Sequence, residues 1–255
     1  MTGKTRQTDT PELQENFDPE VGKARGVLRK PLLAGKLKHS RRAPSPELAA
    51  WIAHYWMISW DLRGAKPLRV ENWPHPNVHL IFEQGNAVVA GVQTKKFSRI
   101  LKGRSNVFGI KFRAGAFRPF LGDSVSKLAN RMVPARRIFG RNLDALESIL
   151  RSSAGERTKI IAADAFFRAR LPRPDKTCDV ATRLVEQILR EPEIKNVEDL
   201  VRKGGISKRS LQRVFRDYVG ASPKRVICRY RLHEIVECLN GEAEPNWAQL
   251  AVDLG

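Results

Sequence analysis

Residues 204–223 constrain the fold more than any other segment, because they combine a flexible turn with a short, strongly basic helix. Gly204 and Gly205 provide the turn, and Ser207 is a good N-cap because its hydroxyl can accept a hydrogen bond from an amide of the first turn. Apolar side chains then recur at helical spacing: Leu211, Val214, Phe215 and Tyr218. The spacing predicts a helix with one buried side and one cationic side.

A second helix is expected immediately before this turn. Asn196 can cap a helix that ends at the glycine pair, and two short helices joined by such a turn form a helix-turn-helix. An ordinary helical hairpin with solvated cations would give the same pattern. Charge separates the two readings, because residues 195–231 contain eleven Lys or Arg against three acids, a local net charge of +8. A DNA duplex is the partner that such a surface favours.

The cationic side of the second helix carries the candidate DNA contacts. Arginine pairs bidentately with guanine and glutamine with adenine in the major groove. We predict that the following residues bind DNA: Ser207, Lys208, Arg209, Ser210, Gln212, Arg213, Arg216 and Lys224.

Two motifs in this region have a recognisable spacing: Gly205-x-Ser207-x-Arg209-x-Leu211-x-Arg213-x-Phe215 followed by Val219-Gly220-x-Ser222-Pro223, and Arg229-Tyr230-Arg231-Leu232. The first resembles the first helix-turn-helix of the AraC/XylS family of bacterial transcription regulators, and the second resembles the linker helix of that family. The resemblance implies that the start of the recognition helix faces base edges, while Arg216 and Lys224 contact phosphate.

The same resemblance predicts an incomplete DNA-binding domain over residues 178–255. Residues 247–254 resemble the first helix of the family's second helix-turn-helix, and no second recognition helix follows in this sequence. The resemblance implies that an intact relative binds two successive major-groove segments. We therefore expect this chain to bind DNA weakly or not at all by itself.

Composition bounds the class of protein. The 255 residues fit one large or two moderate domains, a hydrophobic fraction of 42% supports a core, and a net charge of +19 favours nucleic acid or another anionic surface as a partner. No run of about 18 apolar residues is present, so we expect no membrane partner. The absence of an apolar signal segment and three widely spaced cysteines indicate a reducing cytoplasm.

The remaining chain divides into three regions by pattern. Residues 1–40 are basic and lack periodicity, so we expect a disordered arm. Residues 41–135 contain short strand-like runs, with a hairpin turn at Gly85-Asn86, and predict a β-rich sandwich or barrel. Residues 136–175 have helical spacing up to a break at residues 171–174 and predict a helical connector. The predicted fold class is α+β.

Three segments of the β-rich region have a recognisable composition: His54-Tyr55-Trp56, the run from Pro74 to Glu83, and the run from Phe108 to Phe120. They resemble a cupin-like sensor domain found in some AraC-family regulators, which implies a small-molecule effector as a further partner. Aromatic groups with a polar handle suit either such a pocket or a β-core. The candidate pocket residues are Tyr55, Trp56, Trp73, His75 and His79.

The sequence gives little support for metal chemistry or catalysis. His75, His79 and Glu83 share a strand face, but at about 3.3 Å per residue they are too far apart to meet at one ion. No nucleophile–base set and no phosphate-binding glycine loop is recognisable, so we expect no metal, no cofactor and no enzymatic activity. The expected function is a sequence-specific DNA-binding regulator modulated by its sensor domain. The alternative is a small-molecule-binding cupin-like protein whose DNA-binding part is a non-functional remnant.

Overall fold

The structure, a computed structural model, describes residues 14–18, 21 and 36–239. It is a mixed α+β fold with a β-rich N-terminal region and C-terminal helices. The strands are β1 (Gln14–Phe17), β2 (Leu37–Arg42), β3 (Ile52–Asp61), β4 (Leu68–Asn72), β5 (His79–Glu83), β6 (Asn86–Ala90), β7 (Phe97–Leu101), β8 (Arg104–Phe112) and β9 (Met132–Pro134). The helices are α1 (Arg118–Leu121), α2 (Arg136–Phe139), α3 (Leu143–Arg151), α4 (Glu156–Arg168), α5 (Lys176–Arg190), α6 (Val197–Gly204), α7 (Lys208–Val214) and α8 (Pro223–Leu239).

The described strands form a seven-stranded sheet in the order β1-β2-β3-β8-β5-β6-β9 and a two-stranded sheet of β4 and β7. One face of the large sheet is covered by α3 and α4, with Phe108 and Phe82 packing in the same cluster as Leu143 and Phe167. The other face packs against the small sheet through a separate apolar cluster: Trp56, Ile58, Ile81 and Val107 with Leu68, Val70 and Leu101. Alternate residues of each central strand therefore lie in different environments.

The hairpin between β5 and β6 lies one residue earlier than predicted. Glu83 pairs with Asn86, so the two turn residues are Gln84 and Gly85, with φ of 42° and 85°. A two-residue turn with both φ values positive follows the right-handed twist of the strands. Glycine is needed at the second position because an L side chain is strained there.

Part of the predicted disordered arm is strand, so that prediction is wrong for residues 14–17 and 37–40. Residues 14–17 pair in parallel with β2, and β2 pairs antiparallel with β3. Leu37 is buried beside Trp60 in the cluster under the small sheet. A single apolar residue among lysines gave no periodic signal, yet sheet pairing and this burial order the segment. Ser45 precedes a single 3-10 turn, Pro46–Leu48.

The C-terminal helices share their own apolar core. Leu184 of α5, Leu200 of α6, Leu211 of α7 and Ile227 of α8 are buried in one cluster. Within the residues that the structure describes, no helix is both long enough and apolar enough to cross a membrane. Residues 247–254, which resemble the first helix of a second helix-turn-helix, lie outside the described residues.

Candidate nucleic-acid interface and candidate ligand recess

Local side-chain caps set the ends of α6 and α7. Asn196 caps α6 by accepting from the amide of Asp199 at 2.9 Å. The helix ends at Gly205, whose φ of 61° is left-handed. Ser207 then caps α7, because its hydroxyl accepts from the amide of Ser210 at 3.2 Å. These short-range bonds produce two helices joined by a tight turn, as predicted.

The two sides of α7 differ as the spacing predicts. The side chains that face the core include Leu211 and Phe215, each with 0% of its surface exposed. The helix continues as a π-helical turn, Phe215–Val219, which ends at Gly220. The opposite side is exposed and holds most of the predicted DNA contacts: Ser207, Lys208, Arg209, Gln212, Arg213 and Arg216. Ser210 is half-buried, and its hydroxyl accepts from that of Ser207.

The cations on this surface fall into two groups. Lys208 pairs with Glu198 at 2.7 Å, and Arg216 pairs with Asp217 at 2.9 Å. Arg209, Arg213 and Lys224 have no ion-pair partner among the described residues and are exposed. The middle of the cationic face is therefore open, while two cations at its ends are held by carboxylates.

A cleft of about 540 Å³ lies beside this face. Its walls include Lys208, Gln212 and Arg216, together with Lys224 from the first turn of α8. Ser126 of the N-terminal region also lines it, so the β-rich part of the protein reaches the edge of the candidate interface.

Residues 123–128 pack against the end of α7 and its π-helical turn. The hydroxyl of Ser124 donates to Asp217 at 3.1 Å, which is the carboxylate that holds Arg216. A Cβ on Gly220 would lie 2.9 Å from Cγ1 of Val125. These residues are about ninety positions apart, and no pattern in the sequence indicates that they meet.

A second connection joins the same two regions through Tyr218. Arg118 donates to its hydroxyl at 2.7 Å and stands 4.6 Å from the ring centroid, while the hydroxyl donates to Asp175 at 2.8 Å. Asp175 is also the N-cap of α5, so one carboxylate fixes both a helix end and the tyrosine.

Four of the five predicted pocket residues lie around the face of the large sheet that is turned toward β4 and β7. Trp56 donates from Nε1 to Nδ1 of His79 at 3.2 Å. A Cβ on Gly109 would lie 1.9 Å from the Trp56 ring, so only glycine lets the indole lie against β8. Trp73 and His75 lie in the segment that follows β4, and both contact α8. The Arg229 guanidinium is 5.0 Å from the centroid of the Trp73 ring. The centroid of the His75 ring is 4.1 Å from that of His233.

Tyr55 is not brought together with the other four. Its neighbour Trp56 faces the small sheet, so strand alternation turns Tyr55 to the helix-covered face, where it is 0% exposed. Its hydroxyl donates to Asp164 of α4 at 2.6 Å. We therefore correct its assignment from the pocket to the core, where it joins β3 to α4.

Burial favours the neutral form of His75 and His79. Desolvation, with the charges of Lys111 and Arg41, lowers the pKa of His79 to about 3. The same causes, with His233, lower the pKa of His75 well below its usual value. Both side chains are only half-buried. We name the group of side chains on this side of the large sheet, Trp56, Trp73, His75 and His79, the recess.

The recess includes residues that sequence reasoning missed. Lys111 of β8 pairs in register with His54 on one side and His79 on the other. Arg41 donates to the His54 ring at 2.8 Å, and desolvation lowers the pKa of that ring. Arg41 and His39 are two residues apart on β2 and therefore share one face of the strand, which is a signal that the sequence did offer. Among the described residues, no group of three His, Cys, Asp or Glu side chains is placed to hold a metal.

Comparison with known proteins gives a limited result. Residues 40–134 match the family described as "Domain of unknown function (DUF6597)". No match was found among curated proteins. A solved structure described as "Crystal structure of the AraC-like transcriptional activator CuxR" is 14% identical, covers 78% of this chain and 86% of its own, and has a TM-score of 0.23. A TM-score this low carries no argument about fold or function.

Proposed function

We propose that this chain is a sequence-specific DNA-binding transcription regulator whose α7 is a recognition helix for the major groove. One observation carries the proposal. Arg209, Gln212 and Arg213 are exposed on one side of α7 and have no side-chain partner among the described residues. The opposite side of the same helix is fixed by fully buried Leu211 and Phe215. One side of α7 is therefore packed in the core, and the side with Arg209, Gln212 and Arg213 is accessible.

The chemistry of this face suits a base edge. A B-form major groove about 12 Å wide admits one helix, and arginine and glutamine are the side chains that read guanine and adenine there. The cations of the two helices differ in their partners. Lys203 of α6 contacts both Glu191 and Glu193. Arg209 and Arg213 contact no carboxylate among the described residues, so both guanidinium groups are available to an external anion.

The flanking cations suit the DNA backbone. Arg216 and Lys224 line the cleft beside α7, and we assign them to phosphate contacts that set the register of the helix. The Arg216–Asp217 pair is exposed on the arginine side. Such surface pairs contribute about 0–1 kcal/mol, so a phosphate can replace the carboxylate at low cost.

Regulation would pass through the contact at the end of α7. Residues 123–128 belong to the N-terminal region, and the hydroxyl of Ser124 donates to Asp217. A movement of this segment would change the position of Arg216 relative to the duplex. We propose no catalytic step and no cofactor.

The recess around Trp73 and His79 favours a second candidate, a small-molecule-binding protein whose helices do not bind DNA.

Binding can be measured by fluorescence anisotropy with duplexes selected from a random pool, at low salt because one recognition element is expected to bind weakly. Arg213→Ala should weaken specific binding by about 1–3 kcal/mol and relax the preference at one base position. Arg216→Ala should lower the slope of log K against log salt by about 0.9 without changing the sequence preference.

The matched control is Arg157→Ala, which removes an exposed arginine of α4 and so changes net charge equally. If Arg157→Ala weakens binding as much as Arg213→Ala does, the loss of binding reflects only the loss of positive charge, and α7 is not the recognition helix. Absence of salt-dependent duplex binding at low salt, both in this chain and in a version extended by a second helix-turn-helix, would refute the proposal in favour of the second candidate.

A further inference from the structure

A cavity of about 290 Å³ lies on the helix-covered face of the large sheet, where α4 begins. Its floor includes Ser40, Met57 and Phe108, which are paired in register across β2, β3 and β8. The hydroxyl of Ser40 donates to Glu156 of α4 at 2.6 Å, so the start of this helix is held over the sheet. Ligand pockets have volumes of about 300–1,000 Å³, and the cavity therefore has the size of a small-molecule site.

A second row of side chains on the same face of the sheet is polar. Lys38 pairs in register with Ser59, and Ser59 pairs with Asn106. Each of them is two residues from a member of the floor row, so it shares that face, and neighbours across such a row are about 5 Å apart. All three line the cavity, and their side chains make no hydrogen bond or ion pair with a described residue.

Lys159 of α4 lines the cavity from the opposite side. It lies three residues after Glu156, on the same side of the helix, and is half-buried. Desolvation lowers the pKa of its ammonium group, and it has no ion-pair partner among the described residues. A nearby negative charge would offset this desolvation, because an opposite charge favours the ionised form.

The carboxylate in the cavity wall is already paired. Among the described residues that line the cavity, Glu156 is the only acid. Its Oε1 accepts from Ser40, and its Oε2 is 3.3 Å from the Arg42 guanidinium. Lys38 and Lys159 therefore present two cations that no carboxylate in the cavity neutralises.

The polar and apolar groups of the cavity lie in separate rows. The cations and neutral donors lie along the row of Lys38 and on α4, while Met57 and Phe108, in the next row, belong to the apolar core cluster. A molecule that complements both parts carries negative charge at one end and apolar surface at the other.

We propose that this cavity binds a small organic anion. Its anionic oxygen group, a carboxylate or a phosphate, contacts Lys38 and Lys159. Ser59 and Asn106 donate hydrogen bonds to the same group, and the apolar part of the molecule lies against Met57. The site goes beyond the proposed function and does not depend on it, because no residue of α7 or α8 lines the cavity.

Four probes separate the contribution of charge from that of the apolar part: benzoate, phenyl phosphate, benzyl alcohol and acetate. The chain has three methionines, so labelling their methyl groups with ¹³C gives a simple spectrum, assigned with Met57→Leu and Met132→Leu. Benzoate or phenyl phosphate should shift the Met57 resonance saturably, and the better of the two identifies the anionic group. The resonance of Met132, which is exposed on β9, should not shift.

The other two probes should bind at least about tenfold more weakly. Benzyl alcohol lacks the charge that forms hydrogen bonds with the lysines, and acetate lacks the ring that covers the apolar row.

Charge-removing variants locate the anionic group. Lys159→Gln and Lys38→Gln should each weaken binding of the better anion by about tenfold or more, as expected for a hydrogen bond to a charged group. Lys159→Arg keeps the charge and should retain binding. The matched control is Lys66→Gln, which removes an exposed lysine between β3 and β4 and should leave binding unchanged.

The proposal would be overturned if neither anion shifts the Met57 resonance saturably, or if benzyl alcohol binds as tightly as benzoate and phenyl phosphate. Equal weakening by Lys66→Gln and Lys159→Gln would also overturn it, because the anion would then respond to net charge alone. Saturable anion binding together with absence of duplex binding would refute the proposed function and leave this site standing.

Discussion

Gly220 gives the sharpest test of the contact between the N-terminal region and the end of α7. Its φ of 83° is left-handed, and a Cβ there would lie 2.9 Å from Cγ1 and 3.1 Å from the carbonyl oxygen of Val125. Gly205 is the matched control, because its φ is 61° and an added Cβ would have nothing within 4 Å. Both Gly→Ala changes therefore share the backbone strain, and only one adds a collision.

The magnitudes follow from these two terms. Alanine in the left-handed region costs about 1–2 kcal/mol. Forcing an extra methyl group into a packed contact adds about 1–3 kcal/mol. Gly205→Ala should therefore lower the free energy of unfolding by about 1–2 kcal/mol, and Gly220→Ala by about 2–5 kcal/mol. The additional loss of unfolding free energy in Gly220→Ala, compared with Gly205→Ala, is due to the collision with Val125.

Urea unfolding followed by circular dichroism measures both losses, with equal m-values required for the comparison. Val125 is fully buried, so Val125→Ala is itself destabilising and the contact is tested by a double-mutant cycle. The double variant with Gly220→Ala should lose less than the sum of the two single losses, because removing Cγ1 relieves part of the collision. Equal losses at Gly220 and Gly205, or additive losses in the cycle, would show that the N-terminal region does not pack against α7 in solution.

Three further outcomes are expected, each measured by urea unfolding. Leu211→Ala should cost about 2–5 kcal/mol because the side chain is fully buried, whereas exposed Arg209→Ala should stay within about 0.5 kcal/mol; similar costs would contradict the two-faced helix. Arg118→Ala should cost about 1–2 kcal/mol through its contact with Tyr218, and a double-mutant cycle with Tyr218→Phe should be non-additive; additivity would count against the contact. The pKa of His79 is about 3 in the folded state against 6.5 unfolded, so between these values the unfolded chain binds the extra proton and stability falls as pH falls, by up to about 1.4 kcal/mol per pH unit. His79→Phe should reduce that slope, and an unchanged slope would contradict the burial of a neutral ring.

Much of the local structure follows from residues that are close together in the chain. The caps at Asn196 and Ser207 and the stripe that includes Leu211 depend on neighbours within one or two helical turns. The β-hairpin at Gln84-Gly85 is similarly local, although pairing register moved it by one residue. Short-range rules of this kind predicted the two faces of α7 and the α+β class.

Only the tertiary structure decided which distant groups meet. The recess draws on Trp56, Trp73, His79, Lys111 and His233, which come from separate strands, a loop and α8. Strand register decided that Tyr55 and Trp56, neighbours in sequence, serve opposite sides of one sheet. The packing of Val125 on Gly220 depends on closing a loop of about ninety residues, whose geometry no local pattern encodes. The sequence by itself determined the helix caps, the turns and the amphipathic faces, and long-range packing determined which of those faces meet.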